Sequence, residues 1–243
     1  LPISSKSQIA VVLDQNTSYG ISDAYFHKVV YKQFVELGFV GAPYDIYLLD
    51  DVNSIDITIY KMFLFICPMN INKQIESVLD KIKSEKRILL FSGIPDYMSD
   101  QTKNITDISY ELNRVDLSTK IHINDNKCKF ENDLAIKSFK EYQTAWKISG
   151  CFSRNEISFL AKENGIHIYS ETNNIIYANS KFVCITAVKE GTHQLILQHD
   201  CMLKSFITNK TYQTNNNIID IYLKTNQTEL FEILDTSSNG KNE

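Results

Sequence analysis

Gln8-Ile9-Ala10-Val11-Val12-Leu13-Asp14 places five apolar residues in a row between two polar ones, with none of the in-and-out alternation of a half-exposed strand. Such a run fits a strand buried on both faces, the situation of a parallel strand covered by helices. The following segments repeat the theme. Ser22 stands ahead of Phe26, Val30, Phe34 and Leu37, spaced by threes and fours, and Gly38 closes the series, which predicts an N-capped helix. Tyr44 to Leu49 reads as a second strand that stops at Asp50-Asp51, and Tyr60 to Cys67 as a third that ends at Pro68. Ile75, Val78, Leu79 and Ile82 form the stripe of a helix over residues 72–84, and Arg87 to Phe91 a fourth strand turned by Ser92-Gly93-Ile94-Pro95. Strands and helices alternating at these intervals predict an α/β fold, a parallel sheet with helices on both faces.

Farther out the pattern weakens. Between Ser99 and Thr144 the spacing suggests a helix near Ile105 to Leu112 and short strands around Lys120 to Asn124. Order returns at Trp146 to Phe152, and Ser153-x-x-Glu156 has the form of a capping box opening a helix that ends at Gly165. The last third changes character. Ile166 to Tyr169, Ile175 to Ala178, Phe182 to Val188, His193 to Leu197, Ile218 to Leu223 and Glu229 to Leu234 are short β-like runs separated by polar residues, as in antiparallel meanders. The expected organisation is an α/β domain over residues 1–170, a small antiparallel β module over 171–235 and a polar tail over 236–243.

Composition narrows the functional classes. The chain has 243 residues, 43% hydrophobic and 22% charged, with a formal net charge of −4, an ordinary globular balance. A slight acidity supplies no field for phosphate backbone, so no nucleic-acid partner is expected. The longest apolar run, Met62 to Cys67, is far short of the roughly 20 residues that cross a bilayer, and no membrane partner is expected either. Leu1-Pro2-Ile3-Ser4-Ser5-Lys6 lacks an initiator Met, as in a piece of something longer. Five cysteines, Cys67, Cys128, Cys151, Cys184 and Cys201, are odd in number and without C-x-x-C spacing, which favours free thiols in a reducing compartment.

In open α/β sheets, ligands sit beyond the carboxyl ends of the strands. Asp14, Asn16, Tyr19, Asp50 and Ser92 fall there and form the candidate crevice, with acid oxygens and an aromatic face suited to a sugar or small polyol. The competing expectation is structural: acids at strand ends also bond loop amides, and the crevice can be filled by the chain's own loops. No G-x-G-x-x-G or Walker-type loop supports nucleotide binding. His27, His122, His167, His193 and His199 include no H-E-x-x-H, and the neighbours His199-Asp200-Cys201 point to opposite faces of an extended chain, so neither metal nor cofactor is expected.

Gly41-Ala42-Pro43-Tyr44-Asp45-Ile46-Tyr47-Leu48-Leu49-Asp50-Asp51, followed by Tyr60-Lys61-Met62-Phe63-Leu64-Phe65, resembles the trimerisation domain of family 42 glycoside hydrolases, the β-galactosidase-like enzymes. The resemblance extends over Ile9 to Asp14, Lys86 to Gly93, Arg154 to Tyr169, Phe182 to Leu197 and Thr228-Glu229-Leu230-Phe231, and leaves residues 99–143 unplaced. It implies a flavodoxin-like, class I glutamine amidotransferase-like fold followed by a small C-terminal β domain. In that family the catalytic carboxylates belong to an N-terminal (β/α)₈ barrel, for which this chain has no room. The implied role is therefore a noncatalytic accessory and oligomerisation region. Its implied partners are the parent's catalytic barrel and, in the parent, two further copies of itself. A bacterial cytoplasm is the implied location.

A working amidotransferase is not expected. The turn that should hold a Cys between glycines reads Ser92-Gly93-Ile94, and no His is followed two positions later by Glu. Cys67-Pro68-Met69 replaces the oxyanion glycines. Two alternatives stay open: a carbohydrate or small-molecule binding domain, and a diverged hydrolase using Ser92. The apolar residues are mostly accounted for by strands and helix stripes, so no surplus surface patch is expected, and the isolated chain is expected to be a monomer or weak oligomer.

Overall fold

The structure, a computed structural model, describes residues 3–69, 71–95, 104–115 and 118–234. The tail expected over 236–243 lies outside them. Two compact units emerge: Ile9–Val35 with Tyr44–Ser153, and Leu1–Gln8 with Glu36–Pro43 and Arg154–Glu243.

In the first unit, β1 (Ile9–Leu13) leads into α1 (Thr17–Gly20), α2 (Asp23–Phe26), a π-helical turn over His27–Tyr31 and α3 (Lys32–Leu37), whose last residues belong to the second unit. Ser22 caps α2 as its position predicts, its side chain accepting from the Tyr25 amide at 3.4 Å. The π turn is a departure from the expected regular helix: the Lys32 amide bonds the His27 carbonyl, one residue farther back than in an α-helix. Then come β2 (Tyr44–Leu48), 3-10 turns at Leu49–Ser54 and Ile57–Ile59, β3 (Met62–Ile66), α4 (Lys73–Ile82) and β4 (Arg87–Ser92). Asn72 caps α4, accepting from the Gln74 and Ile75 amides at 2.9 Å each. β5 (Tyr110–Val115), β6 (Ser118–Ile123), β7 (Lys129–Glu131), β8 (Leu134–Ser138) and β9 (Tyr142–Lys147) complete the unit.

Seven of these strands form one sheet in the order β2-β1-β3-β4-β9-β8-β7. β2, β1, β3, β4 and β9 run parallel, while β8 and β7 pair antiparallel on the far side. The sheet is therefore mixed rather than wholly parallel, with few helices, because the chain between β4 and β9 spends its residues on the hairpins β5–β6 and β7–β8. α4 covers one face with Ile75, Val78, Leu79 and Ile82 against a cluster that includes Ala10, Val12, Phe63, Phe65, Phe91 and Trp146. The opposite face, with Ile9, Val11, Leu64, Ile66, Ile88 and Leu90, is equally buried.

The helix expected near Ile105 to Leu112 is not formed. Asp107 sits at φ 58, outside helical space, and Lys137 Nζ donates to its carbonyl at 2.7 Å. Thr106 Oγ1 accepts from the Ile108 amide and Asp125 from the Ser109 amide, so side chains take the bonds a helix would need, and Tyr110 begins a strand instead. The Tyr110 ring meets Trp146 edge-on at 4.8 Å.

The second unit holds α5 (Arg154–Glu163), β10 (Ile175–Ala178), β11 (Phe182–Thr186), β12 (Gly191–Ile196), β13 (Met202–Ser205), β14 (Thr211–Gln213), β15 (Ile218–Leu223) and β16 (Thr228–Leu234). Ile166 to Tyr169 is not a strand, and β13 and β14 were not legible in the pattern. Nor is the arrangement a meander. One sheet runs β10-β11-β16-β13-β14, and β12 pairs separately with β15. All pairings are antiparallel. Each strand has one apolar face, and both sheets contribute to one core: Ile176, Val183, Ile185, Leu203 and Phe231 with Leu195, Ile219, Ile221 and Leu223. Within the same unit Gly41, at φ 79, lies so close to Ser170 that a Cβ would stand 1.8 Å from the Ser170 carbonyl oxygen. At α5, Arg154 pairs with Glu36 at 3.0 Å and lies over the Phe39 ring at 4.5 Å.

Phe65 is fully buried between Phe63 and Phe91. Phe65→Ala is expected to cost about 3–5 kcal/mol, and Asn72→Ala about 1 kcal/mol through the lost cap. Urea unfolding checks both; equal midpoint shifts for the two variants contradict the packing described.

Candidate functional site

The strand order reverses at β1, between β2 and β3, and the candidate crevice falls at the carboxyl ends there. Its five residues differ in burial and in partners. Asp14 is 2% exposed, and its carboxylate is engaged by the chain itself: Oδ1 accepts from the Asn16 amide at 2.8 Å and Oδ2 from the Met69 amide at 2.9 Å. It ties the end of β1 to the turn after β3. Asn16 is exposed and makes no side-chain cap on α1, and Tyr19 is 90% exposed. Asp50, exposed in the turn after β2, accepts from the Gln15 side-chain amide. Ser92 is fully buried, and its hydroxyl has no hydrogen-bond partner among the described residues.

A cavity of about 610 Å³ opens beside these residues, and none of the five lines it. Ile21, Ser22, Tyr25 and Lys28 contribute from the segment after β1; Cys67, Met69 and Ile94 from the turns after β3 and β4. Ile121, Asp133, Ile148 and Ser149 close the remaining side. Two strand ends bend sharply at its wall. Cys67 adopts φ 46 and Gly93 φ 76, and a Cβ on Gly93 would stand 3.2 Å from the Tyr25 hydroxyl oxygen and 3.3 Å from Cys67 Sγ. Interstrand bonds hold both turns: the Cys67 amide donates to the Ser92 carbonyl at 3.0 Å, and Trp146 Nε1 donates to the Gly93 carbonyl at 2.5 Å. Thr17 Oγ1 donates to the Cys67 carbonyl at 3.1 Å.

Asp133 arrives by a different route. It follows Asn132 in the turn joining β7 to β8, with both residues at positive φ, 47 and 69. Its carboxylate accepts the Ser149 amide through both oxygens, at 3.1 and 2.9 Å. Asn132-Asp133, residue types that suit a turn, was passed over in the sequence, and its place in the cavity depends on β8 pairing with β9, which the sequence pattern does not announce.

Neither nucleophile-type side chain at the strand ends is activated by its described surroundings. Burial, with the Asp14 carboxylate adding to it, pushes the Cys67 thiol up to about 12, away from the reactive thiolate. Among the described residues the Ser92 hydroxyl has no hydrogen-bond partner to act as a base. Two histidines bond the chain itself: His193 the Asn174 side chain and the Lys189 carbonyl, and His167 the Ile196 carbonyl. Asp200 holds a turn, accepting from Thr214 Oγ1 and the Asn217 amide at 2.9 and 2.7 Å. Among the described residues no group of three His, Cys, Asp or Glu side chains is placed to hold a metal ion. No helix among them is long and apolar enough to cross a membrane.

No family model matches the sequence, and no curated protein matches it. Solved structures do. The chain is similar to the β-galactosidase from Bacillus circulans sp. alkalophilus, with a TM-score of 0.71 at 12% identity, over 96% of this chain and 42% of that one. A catalytic mutant of Gan42B, a GH42 β-galactosidase from G. stearothermophilus, superposes with a TM-score of 0.66 at 10% identity, over 93% of this chain and 40% of that one. The α-L-fucosidase isoenzyme 2 from Paenibacillus thiaminolyticus gives 0.56 at 11% identity, over 98% of this chain and 50% of that one. At these identities the likeness is one of fold. The chain spans about two fifths of the length of the two β-galactosidases.

Asp14→Ala removes the acceptor of two backbone amides and is expected to cost about 1–3 kcal/mol, while Tyr19→Ala stays within about 0.5 kcal/mol of the parent chain. Thermal and urea unfolding measure both. Cys67 is expected to resist iodoacetamide at pH 8 until the chain unfolds; its rapid alkylation in the native state contradicts the buried, protonated thiol.

Proposed function

We propose that the chain is a noncatalytic accessory region of a β-galactosidase-like glycoside hydrolase, whose hydrolytic carboxylates reside in a barrel outside it. The supporting observation is one of coverage: nearly all of this chain, but only about two fifths of each β-galactosidase, takes part in the similarity. The site chemistry supports the same reading. A retaining glycosidase needs two carboxyl groups about 5 to 5.5 Å apart across a bound sugar. Here Asp14 is consumed by backbone amides, and Asp133 is the one carboxylate among the described residues of the cavity.

Within that role we assign the chain to assembly, as the trimerisation domain it resembles. β2 is bonded on one side only, to β1, among the described residues. Its Ile46 and Leu48, two residues apart on one face, are 53% and 43% exposed. Contrary to the expectation of no surplus patch, the strand at this end of the sheet thus carries exposed apolar surface, a combination that invites pairing. A stable interface buries about 1,200 to 2,000 Å² in total, more than one short strand supplies, so association of the chain alone is weak.

The chain is expected to release no nitrophenol from nitrophenyl galactosides; turnover that a single Asp or Ser substitution abolishes overturns the noncatalytic assignment. Light scattering over a hundredfold concentration range tests assembly. The expected result is a mass that rises with concentration and stays monomeric in an Ile46→Lys, Leu48→Lys variant. A mass independent of concentration, or unaffected by the substitutions, removes β2 from the interface.

A further inference from the structure

The cavity beside the strand ends has a lining that selects a ligand class. Its charged groups balance: Lys28 and Asp133 are the one cation and the one carboxylate among the described lining residues. Lys28 joins no ion pair among the described residues. A balanced pair gives a phosphate or carboxylate ligand no net attraction, and no glycine-rich loop cradles a phosphate. A wholly apolar ligand fails for the opposite reason, since it would cover the Lys28 ammonium and the Asp133 carboxylate while adding a partner to neither.

What fits both ends is a neutral molecule carrying several hydroxyls on a compact carbon frame. Hydroxyls donate to a carboxylate and accept from an ammonium group, so a polyhydroxylated molecule offers a partner to each of Asp133 and Lys28. Asp133 is already oriented for this by the Ser149 amide, and each carboxylate oxygen retains further lone-pair capacity. Met69, Ile121 and Ile148 supply apolar surface for the CH face of such a ring. The volume, about 610 Å³, lies within the range of small-molecule sites, roughly 300–1,000 Å³. The wall is also built at a conformational cost. A non-glycine residue, Cys67, is held at φ 46 facing Gly93, where a Cβ would crowd Tyr25 and Cys67 itself.

We infer that this cavity is a binding site for a neutral polyhydroxylated small molecule of hexose size, with Asp133 accepting from adjacent hydroxyls and Lys28 donating to another. The site is made wholly of this chain's residues, so it stands whether or not the chain serves a glycoside hydrolase. It differs from the crevice of Asp14, Asn16, Tyr19, Asp50 and Ser92, none of which lines it.

Calorimetric titration of the 243-residue chain with D-galactose, D-glucose and inorganic phosphate tests this. Saturable heat with at least one of the sugars at millimolar concentration is expected, and none with phosphate. Lys28→Ala removes an exposed side chain, and Asp133→Asn keeps a residue type that tolerates positive φ, so both variants retain the fold. Each is expected to weaken sugar binding tenfold or more, while Phe159→Ala, an exposed change on α5, leaves it unaltered. Flat titrations with both sugars, sugar binding undiminished in the two cavity variants, or phosphate binding that sugar does not displace would each overturn the assignment.

Discussion

Burial of both faces of β1, β3 and β4 is the constraint on which the rest of the first unit depends. With all their side chains but the half-buried Leu13 enclosed, these strands meet solvent or a ligand chiefly at their ends. The groups at those ends must then be satisfied locally. Asp14 spends its carboxylate on two loop amides, Thr17 bonds the Cys67 carbonyl, and Trp146 reaches across to the Gly93 carbonyl. The cavity is what remains open after these demands are met, which explains why it lies beside the polar residues of the strand ends rather than among them.

How much of this was legible follows from how local each determinant is. The first four strands, the Ser22 cap and the α4 stripe are written in runs of a dozen residues or fewer, and the structure places them within a residue or two of the pattern. The helix expected near Ile105 is displaced in part by Thr106 within the segment and in part by Asp125 and Lys137, which lie 16 or more positions from the groups they bond and leave no local signal. The fifth parallel strand, Tyr142–Lys147, is separated from its partner β4 by about 50 residues, and no spacing rule spans that distance.

The candidate site divides in the same way. Strand ends could be located from sequence, and Asp14 is where they suggested, though its carboxylate is turned to architecture. Lys28 and Asp133 could not be paired in advance, since one follows β1 and the other sits in a hairpin added at the opposite side of the sheet. In the second unit, alternation marked most strands, but which strand bonds which was not local: β11 pairs with β16 across more than 40 positions. The similarity to enzymes of two activities, β-galactosidase and α-L-fucosidase, carries a related lesson. The scaffold is shared more widely than any one substrate.

The π turn over His27–Tyr31 makes the length of its segment a matter of phase. An α-helix advances about 100° per residue, and the wide turn absorbs one extra residue without rotating what flanks it. Within the turn Val29 and Val30 are buried, and on its carboxyl side Gln33 is locked to Phe152 by a reciprocal pair of bonds at 3.1 and 2.9 Å. That end cannot swivel. Loss of one residue within the turn would restore a regular helix and transfer the whole rotation to the other end, carrying Tyr25 away from Gly93. The cavity's outline is therefore stored as a residue count, and a deletion that improves the helix would erase the wall it supports.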